Sequence, residues 1–427
     1  MAGVGMRVSG FVHRFAFQLP AFKNWLGLRL GLGLRLWAVK IFSSGMDGIA
    51  TSPQLAGFEP AKERSAVAPP SWPGIVLAFA ATCVNVGIMW DISWHETIGR
   101  DSFWTPAHMM IYLGGVLGGC VGGWLAIQHT FLAGPAGRET SVQVFGARAP
   151  LGAWVLIWGA MAMLTSAPLD NWWHNAYGLD VKIISPPHTV LGLGMFGITF
   201  GALLLVLTRQ NRLHDGTGSG LFIYVGGIFL TMGAVFVMEY TFPNQQHTGL
   251  FYEVCALAFP LRLVSMGRAG RISWPATRTA AVYLMVACLM AWVLPLFAAQ
   301  PKLAPIFNPV THMVPPPFPM LLIFPALAID LVLLKAGDAV GWKRVALALV
   351  LGAVFEAVLL PVQWFFSEFI LSPLCDNWFF LGNHVWDFGA RGGEWTTRFW
   401  NGKNNANLLK ISSLPIALAL AAFSSWL

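Results

Sequence analysis

Two aspartates and two histidines, Asp91, Asp101, His95 and His108, lie close together in the stretch WDISWHETIGRDSFWTPAH, residues 90–108. Asp91 and His95 are four residues apart, which places both on one face of a helix, one turn apart. His108 follows Pro106, and proline is favoured at the first position of a helix. If the intervening loop folds back, one carboxylate and two imidazoles converge. Such a set binds non-haem iron, and imidazole also suits copper and zinc.

The same arrangement recurs in LDNWWHNAYGLDVKIISPPH, residues 169–188. The corresponding members of this second copy are Asp170, His174 and His188. The spacing before the last histidine is one residue longer. Because each copy ends one apolar run and begins the next, we predict a duplicated two-helix unit with a second metal site. A duplicated structural corner without chemistry is the alternative.

Residues next to these histidines have two interpretations each. Asp101 and Asp180 would hold an imidazole ring through its other nitrogen, or they would cap a helix or carry solvated loop charge. Trp94 and Trp173 would belong to the aromatic belt at the membrane interface, or they would wall a pocket for an apolar substrate.

The composition indicates a membrane protein. Of 427 residues, 56% are hydrophobic and 11% are charged, whereas soluble domains carry about 25% charged residues. Apolar runs long enough to cross a hydrocarbon core of about 30 Å lie near residues 73–91, 106–131, 150–169, 187–208, 219–241, 247–265, 276–298, 316–336, 345–366 and 409–427. We therefore predict an all-α, polytopic membrane helical bundle of about ten transmembrane helices. The five cysteines form no C-x-x-C pair, so no disulfide framework or thiolate metal site is indicated.

The chain divides into three parts. Residues 1–71 form a basic N-terminal segment that we expect to be peripheral or disordered. A membrane-surface or targeting segment and a true start at Met46 are both compatible with it. Residues 72–208 carry the duplicated metal-site units, and residues 209–427 carry further transmembrane helices with a long outer loop at 367–408.

Positive charges cluster in alternate connections between the apolar runs. These connections contain Arg138 and Arg148, then Arg209 and Arg212, then Arg268 and Arg271, then Lys335, Lys343 and Arg344. By the positive-inside rule, both termini are cytoplasmic and residues 90–108 face outward. We expect a bacterial inner-membrane protein with its metal sites on the periplasmic side.

Further ionisable residues lie on the predicted outer side. His247 lies between Glu239 and Glu253 in sequence, and His312 precedes a proline-rich stretch. Each would add a ligand, a proton-relay group or a substrate contact, or it would be a hydrogen-bonded loop residue.

Two patterns inside the apolar runs concern packing. Gly114, Gly118 and Gly122 recur every fourth residue, which lets helices approach closely, either within the chain or against a partner subunit. Asp330 and Glu356 lie deeper and toward the cytoplasmic half, where pairing across the eighth and ninth helices is one arrangement open to them.

The first copy resembles a known metal site. The pattern Asp91-x3-His95-x12-His108, with Trp94 before the first histidine and the context RDSFWTPAH around the second, resembles a segment of the C subunit of particulate methane and ammonia monooxygenases. The resemblance implies that Asp91, His95 and His108 bind copper within the membrane, near a site of oxygen activation. It covers residues 90–108 only. The altered second copy and the number of helices depart from that family.

Three function classes follow. The first is a copper-dependent, monooxygenase-like membrane oxidoreductase that oxidises a small apolar substrate with dioxygen, with iron as the alternative metal. The second is a transporter or metal-handling protein, although the repeat is parallel and local whereas transporter halves are commonly inverted. The third is a zinc-dependent membrane hydrolase. We expect contact with the lipid bilayer and with other membrane subunits or a second copy, and no nucleic acid.

Overall fold

A computed structural model describes residues 71–99, 103–134, 137–138, 140–177, 185–213, 218–302, 310–337, 339–375, 377–381 and 413–427. The predictions for the N-terminal segment, for Asp101 and Asp180, and for most of the loop at 367–408 lie outside these residues.

The described residues contain ten α-helices and one short β-hairpin. The helices are α1 (Trp72–Thr97), α2 (Pro106–Ile127), α3 (Leu151–Tyr177), α4 (Pro186–Arg212), α5 (Ser219–Phe236), α6 (Gly249–Ala269), α7 (Pro275–Val293), α8 (Ile323–Ala336), α9 (Trp342–Ile370) and α10 (Ser413–Trp426). The strands β1 (Val142–Val144) and β2 (Ala147–Ala149) pair antiparallel between α2 and α3. Short turns of 3₁₀ or π helix occupy Gln128–Leu132, Met238–Tyr240, Pro243–Gln245, Leu294–Leu296 and Pro373–Cys375.

Eight of these helices, α1 to α7 and α9, are long and apolar enough to cross a membrane. The protein is therefore an integral-membrane helical bundle, which confirms the predicted fold class. The other two, α8 and α10, have 14 residues each. At 1.5 Å per residue each spans about 21 Å, less than the hydrocarbon core. Among the described residues, eight of the about ten predicted helices are thus found at full crossing length.

The eighth predicted segment, residues 316–336, is broken: its helix α8 begins later than predicted because prolines precede it. The predicted span starts at residue 316, but the sequence PPPFP at 315–319 has too few N–H donors for a helix, and α8 begins only at Ile323. The side chains of other helices supply the missing hydrogen bonds. Ser93 Oγ donates to the Val314 carbonyl, and Val314 N–H donates to Thr97 Oγ1 at 2.8 Å. Leu321 N–H donates to Gln363 Oε1 at 3.1 Å.

The buried apolar residues form two clusters. One joins α1 to α7 and includes Leu77 and Ile198. The other joins α5 to α10 and includes Phe259 and Phe355. The site residues of interest lie at the end of the bundle where α1 ends and α2 begins, which we call the Asp91 end.

The glycine pattern in α2 serves packing within the chain. A Cβ on Gly114 would lie 2.6 Å from the Ala80 carbonyl oxygen of α1, and one on Gly122 would lie 3.0 Å from the Ala153 carbonyl oxygen of α3. These contacts confirm the packing prediction and select its first form, helix against helix within one chain.

Asp330 does not pair with Glu356. Its carboxylate accepts hydrogen bonds from the backbone N–H of Ala276 at 3.2 Å and of Thr277 at 2.8 Å. These are the first N–H groups of α7, which have no partner inside that helix. The suggested pairing of the two deep acids was therefore wrong, because Asp330 caps a neighbouring helix.

Replacing Gly114 by Ala should lower the free energy of unfolding by about 1–3 kcal/mol, since the added methyl group would push α1 and α2 apart. Thermal unfolding in detergent measures the effect. Gly123→Ala is the matched control, because no atom lies within 4 Å of a Cβ at Gly123. Equal melting temperatures for the two variants would contradict the packing assignment.

Candidate functional site

The end of α1 and the start of α2 bring together the first predicted set. Thr105 caps α2 by accepting a hydrogen bond from the His108 N–H at 3.4 Å, and Pro106 occupies the first helical turn. This start directs His108 back toward α1. Its Nε2 lies 3.2 Å from Asp91 Oδ1, and His95 Nε2 lies 3.8 Å from Asp91 Oδ2. Asp91 therefore contacts both histidines, as the helical spacing predicts.

Burial differs among the three side chains. The Asp91 and His108 side chains are 13% and 22% exposed, whereas that of His95 is 49% exposed. Within the described residues, no group of three or more His, Cys, Asp or Glu side chains is arranged to hold a metal ion. Asp91 lies closer to His108 than to His95, and the exposed His95 would have to turn inward to complete a three-ligand set.

The second copy builds the same corner. Ser185 caps α4 by accepting a hydrogen bond from the His188 N–H at 3.3 Å, as Thr105 does for α2. His188 Nε2 lies 3.4 Å from Asp170 Oδ1. His174 follows Asp170 by one turn in the last part of α3, but its side chain is outside the described part. The sequence repeat thus corresponds to a repeated cap and a repeated carboxylate–imidazole contact.

The separations between these atoms suit two ligands of one metal ion. Two ligands that each lie about 2.1 Å from a tetrahedral ion are roughly 3.4 Å apart. The Asp91–His108 distance of 3.2 Å and the Asp170–His188 distance of 3.4 Å are close to that value. The donor types, carboxylate oxygen and imidazole nitrogen, fit copper, iron or zinc. The paired residues therefore fit a transition metal in both type and spacing.

The two tryptophans next to the histidines, Trp94 and Trp173, pack against other apolar or aromatic side chains. Trp94 is half-buried and packs against the first apolar cluster. Trp173 lies 4.6 Å from Tyr177 and 6.4 Å from Trp172, between ring centroids. An aromatic group of this kind at a helix end is typical of the membrane interface.

His247 lies in a separate polar cluster at the Asp91 end. The residue is 1% exposed, and its Nε2 lies 3.6 Å from Glu368 Oε1 of α9. Ser367 Oγ lies 3.3 Å from its Nδ1, and the Trp364 ring lies edge-on at 4.0 Å. The carboxylate that contacts His247 thus belongs to α9, although Glu239 and Glu253 are nearer in sequence. Glu253 is half-buried in the first turns of α6.

His312 has an exposed position. Its Nδ1 lies 3.0 Å from Thr311 Oγ1, and its backbone pairs with Ala298 across two loop segments. In the part of the chain that the structure describes, His312 is therefore a hydrogen-bonded loop residue.

Sequence reasoning missed Gln363, Ser367 and Glu368 on α9. Gln363 Nε2 donates to Gln246 Oε1 at 2.7 Å, next to His247. Gln363 and Ser367 are both completely buried and four residues apart. Polar residues at helical spacing inside an apolar run were the available signal.

Comparison with known proteins gives no match: no family model, curated protein or solved structure matches the chain. The resemblance of residues 90–108 to the monooxygenase subunit therefore stays a prediction.

Acid should destabilise the protein through His247. Burial lowers the pKa of His247, and the nearby Glu368 opposes that shift only in part. The folded protein thus resists a proton that the unfolded chain accepts below a pKa of about 6.5. Stability is full above that pH and declines as pH falls below it.

Replacement of His247 by Gln should reduce the loss of melting temperature between about pH 7.5 and about pH 5.5. Glu368→Gln should increase that loss, because it removes the group that favours the charged imidazole. His312→Gln is the control, with an exposed ring, and should match the unchanged protein. An identical pH dependence in all three variants would exclude His247 as the source.

Proposed function

We propose that this membrane protein binds copper at the Asp91 end and is a monooxygenase-like oxidoreductase that oxidises a small apolar substrate with dioxygen. The observation that carries the proposal is the repeated carboxylate–imidazole pair, held at ligand-like distances by the same helix cap in both copies. The short resemblance of residues 90–108 supports copper as the metal and oxygen as the oxidant.

The residues of the first copy would hold the metal as follows. Asp91 supplies a carboxylate oxygen, and His108 supplies Nε2 from a ring fixed by the start of α2. His95 joins from its exposed position by turning one side chain. A bound copper ion supplies one-electron chemistry and a place for dioxygen. Asp170, His174 and His188 would form a second site of the same kind.

The protonation state of His108 would matter for binding. Its Nε2 could bind a metal only without hydrogen, so a neutral ring would carry its proton on Nδ1, and a protonated ring would have to release one proton. The partly buried Asp91 remains between the two imidazoles and orients them. Trp94, packed against the apolar core, limits access of water from its side of α1.

Orientation in the membrane forms part of the proposal. The clustered cations lie in the connections that join α2 to α3, α4 to α5, α6 to α7 and α8 to α9, at the opposite end of these helices from Asp91. This distribution supports cytoplasmic termini and a site facing the periplasm of a bacterial inner membrane. A small apolar substrate would then arrive through the lipid.

Transport is the second candidate function, and the broken eighth segment favours it. Transporters bind substrates where helices are interrupted. Here the prolines at 315–319 border a cavity of about 60 Å³, which Met89, Thr231 and Tyr283 also line. Met89 precedes Asp91 by two residues and so points to the other side of α1. The cavity is thus separate from the carboxylate–imidazole pair.

Metal analysis and electron paramagnetic resonance of the purified protein, incubated with copper(II) and dialysed, test the proposal. We expect two copper ions per chain. Asp91→Asn and His108→Gln should each weaken the first site by more than about 100-fold, which exceeds the effect of changing groups that only orient ligands. His312→Gln, a histidine outside both copies, should bind copper like the unchanged protein.

Four results would overturn parts of the proposal. Selective retention of zinc would favour a hydrolase, and absence of any metal would favour the transporter. Equal copper loss in His312→Gln and His108→Gln would show that copper binds to surface histidines without preference for the two copies. Substrate oxidation by the loaded protein that survives Asp91→Asn would remove the site from the reaction.

A further inference from the structure

A buried carboxyl group lies halfway along α9, far from both copies of the Asp-His motif in sequence. Glu356 is 3% exposed, and neither of its carboxylate oxygens has a hydrogen-bond partner among the described residues. An ionised carboxylate without a partner inside an apolar region costs several kcal/mol. Ionisable groups placed at such depth mark pathways for ions or protons more often than they mark packing.

Among the described residues, no cation is recorded beside Glu356, and the buried Arg262 of α6 lies over the Phe229 ring of α5 instead. Phe355 and Leu359 on α9, with Ala421 on α10, belong to the second apolar cluster. Tyr252 and Cys255 of α6 lie close enough to Glu356 to interact with its charge. Neither side chain carries a positive charge in any protonation state, so neither can neutralise a carboxylate. The sequence of α10 contains no titratable side chain. On α8, Asp330 is engaged by the start of α7.

Polar groups recur along one face of α9 from this carboxyl toward the Asp91 end, and we call them the polar line of α9. Gln363 and Ser367 follow Glu356 by seven and eleven residues, so all three lie on one face of the helix, and all are buried. Between them, the Tyr252 hydroxyl donates to the Leu360 carbonyl at 3.3 Å. One polar group therefore occurs at about every turn over roughly 16 Å.

The outer end of this line reaches water. Ser367 Oγ contacts His247 Nδ1 at 3.3 Å, and His247 Nε2 contacts Glu368 at 3.6 Å. The Glu368 side chain is 41% exposed. A proton can thus enter at Glu368 and His247, the titratable pair at the outer end of the polar line, and proceed inward along α9.

We propose that Glu356 is a proton-binding site in the membrane, loaded from the Asp91 end through the polar line of α9. The chemistry selects a proton over a metal ion, because one carboxyl with a phenol and a thiol nearby offers no second anionic ligand at neutral pH. Loading forms an O–H bond on Glu356 from a hydronium ion and releases water, with no redox change. The site is independent of copper binding.

Infrared spectra of the full-length protein in lipid vesicles test the protonation. The difference between the unchanged protein and Glu356→Gln should show the carbonyl stretch of one carboxylic acid without hydrogen bonds. Glu253→Gln, which changes a half-buried glutamate on α6, should leave that band in place. Carboxylate bands in place of the acid band for Glu356 at neutral pH would overturn the proposal.

Exchange of this proton for deuterium tests the route. On transfer to heavy water, the acid band should shift in the unchanged protein, and Gln363→Leu should slow that shift at least tenfold. Ser367→Ala removes a smaller group from the same line and should also slow it. Gln210→Leu is the control, since Gln210 is an equally buried glutamine on α4. No exchange in the unchanged protein, or equal rates in every variant, would show a closed structural acid and overturn the route.

Discussion

Inside a bilayer the backbone finds hydrogen-bond partners only within the protein, because lipid tails neither donate nor accept. Along their length, the described helices meet this constraint through their own backbone hydrogen bonds. The eighth segment does not, because the prolines at 315–319 prevent a helix. Its backbone is instead satisfied by side chains, among them Ser93 and Thr97 of α1 and Gln363 of α9. Side chains of α1 and α9 therefore replace hydrogen bonds that the interrupted helix cannot make. These contacts fix the rotation of α1 and α9 relative to the proline-rich segment.

The rotation of α1 has a direct consequence for the candidate metal site. Ser93 and Thr97 face the proline-rich segment, so Asp91 and His95 must face another direction, and α2 begins there. Asp91 contacts His108 directly, and the helix caps at Thr105 and Ser185 are hydrogen bonds within the chain. These contacts hold the starts of α2 and α4 in place. A variant that lacks the proposed metal ligands His95 or His174 should therefore still form the bundle.

The sequence was sufficient for features set by local spacing. Helical periodicity placed Asp91 beside His95, the Pro-x-His pattern placed His108 at a helix start, and the glycines of α2 predicted close packing. Features set by distant contacts could not be predicted. His247 contacts Glu368, which is more than a hundred residues away, although two glutamates are nearer in the chain. Asp330 caps α7 because tertiary packing brings the start of that helix to it, and no sequence spacing encodes this.

Two deep carboxylates differ in their hydrogen bonding. Asp330 receives two backbone N–H groups, which satisfy its carboxylate inside the protein. Glu356 receives none among the described residues, yet it lies on the same face as Gln363 and Ser367. A leucine at this position would avoid the cost of burying a carboxylate. The property that a carboxyl has and an apolar residue lacks is the binding and release of a proton, which is why we propose a proton-binding role for Glu356.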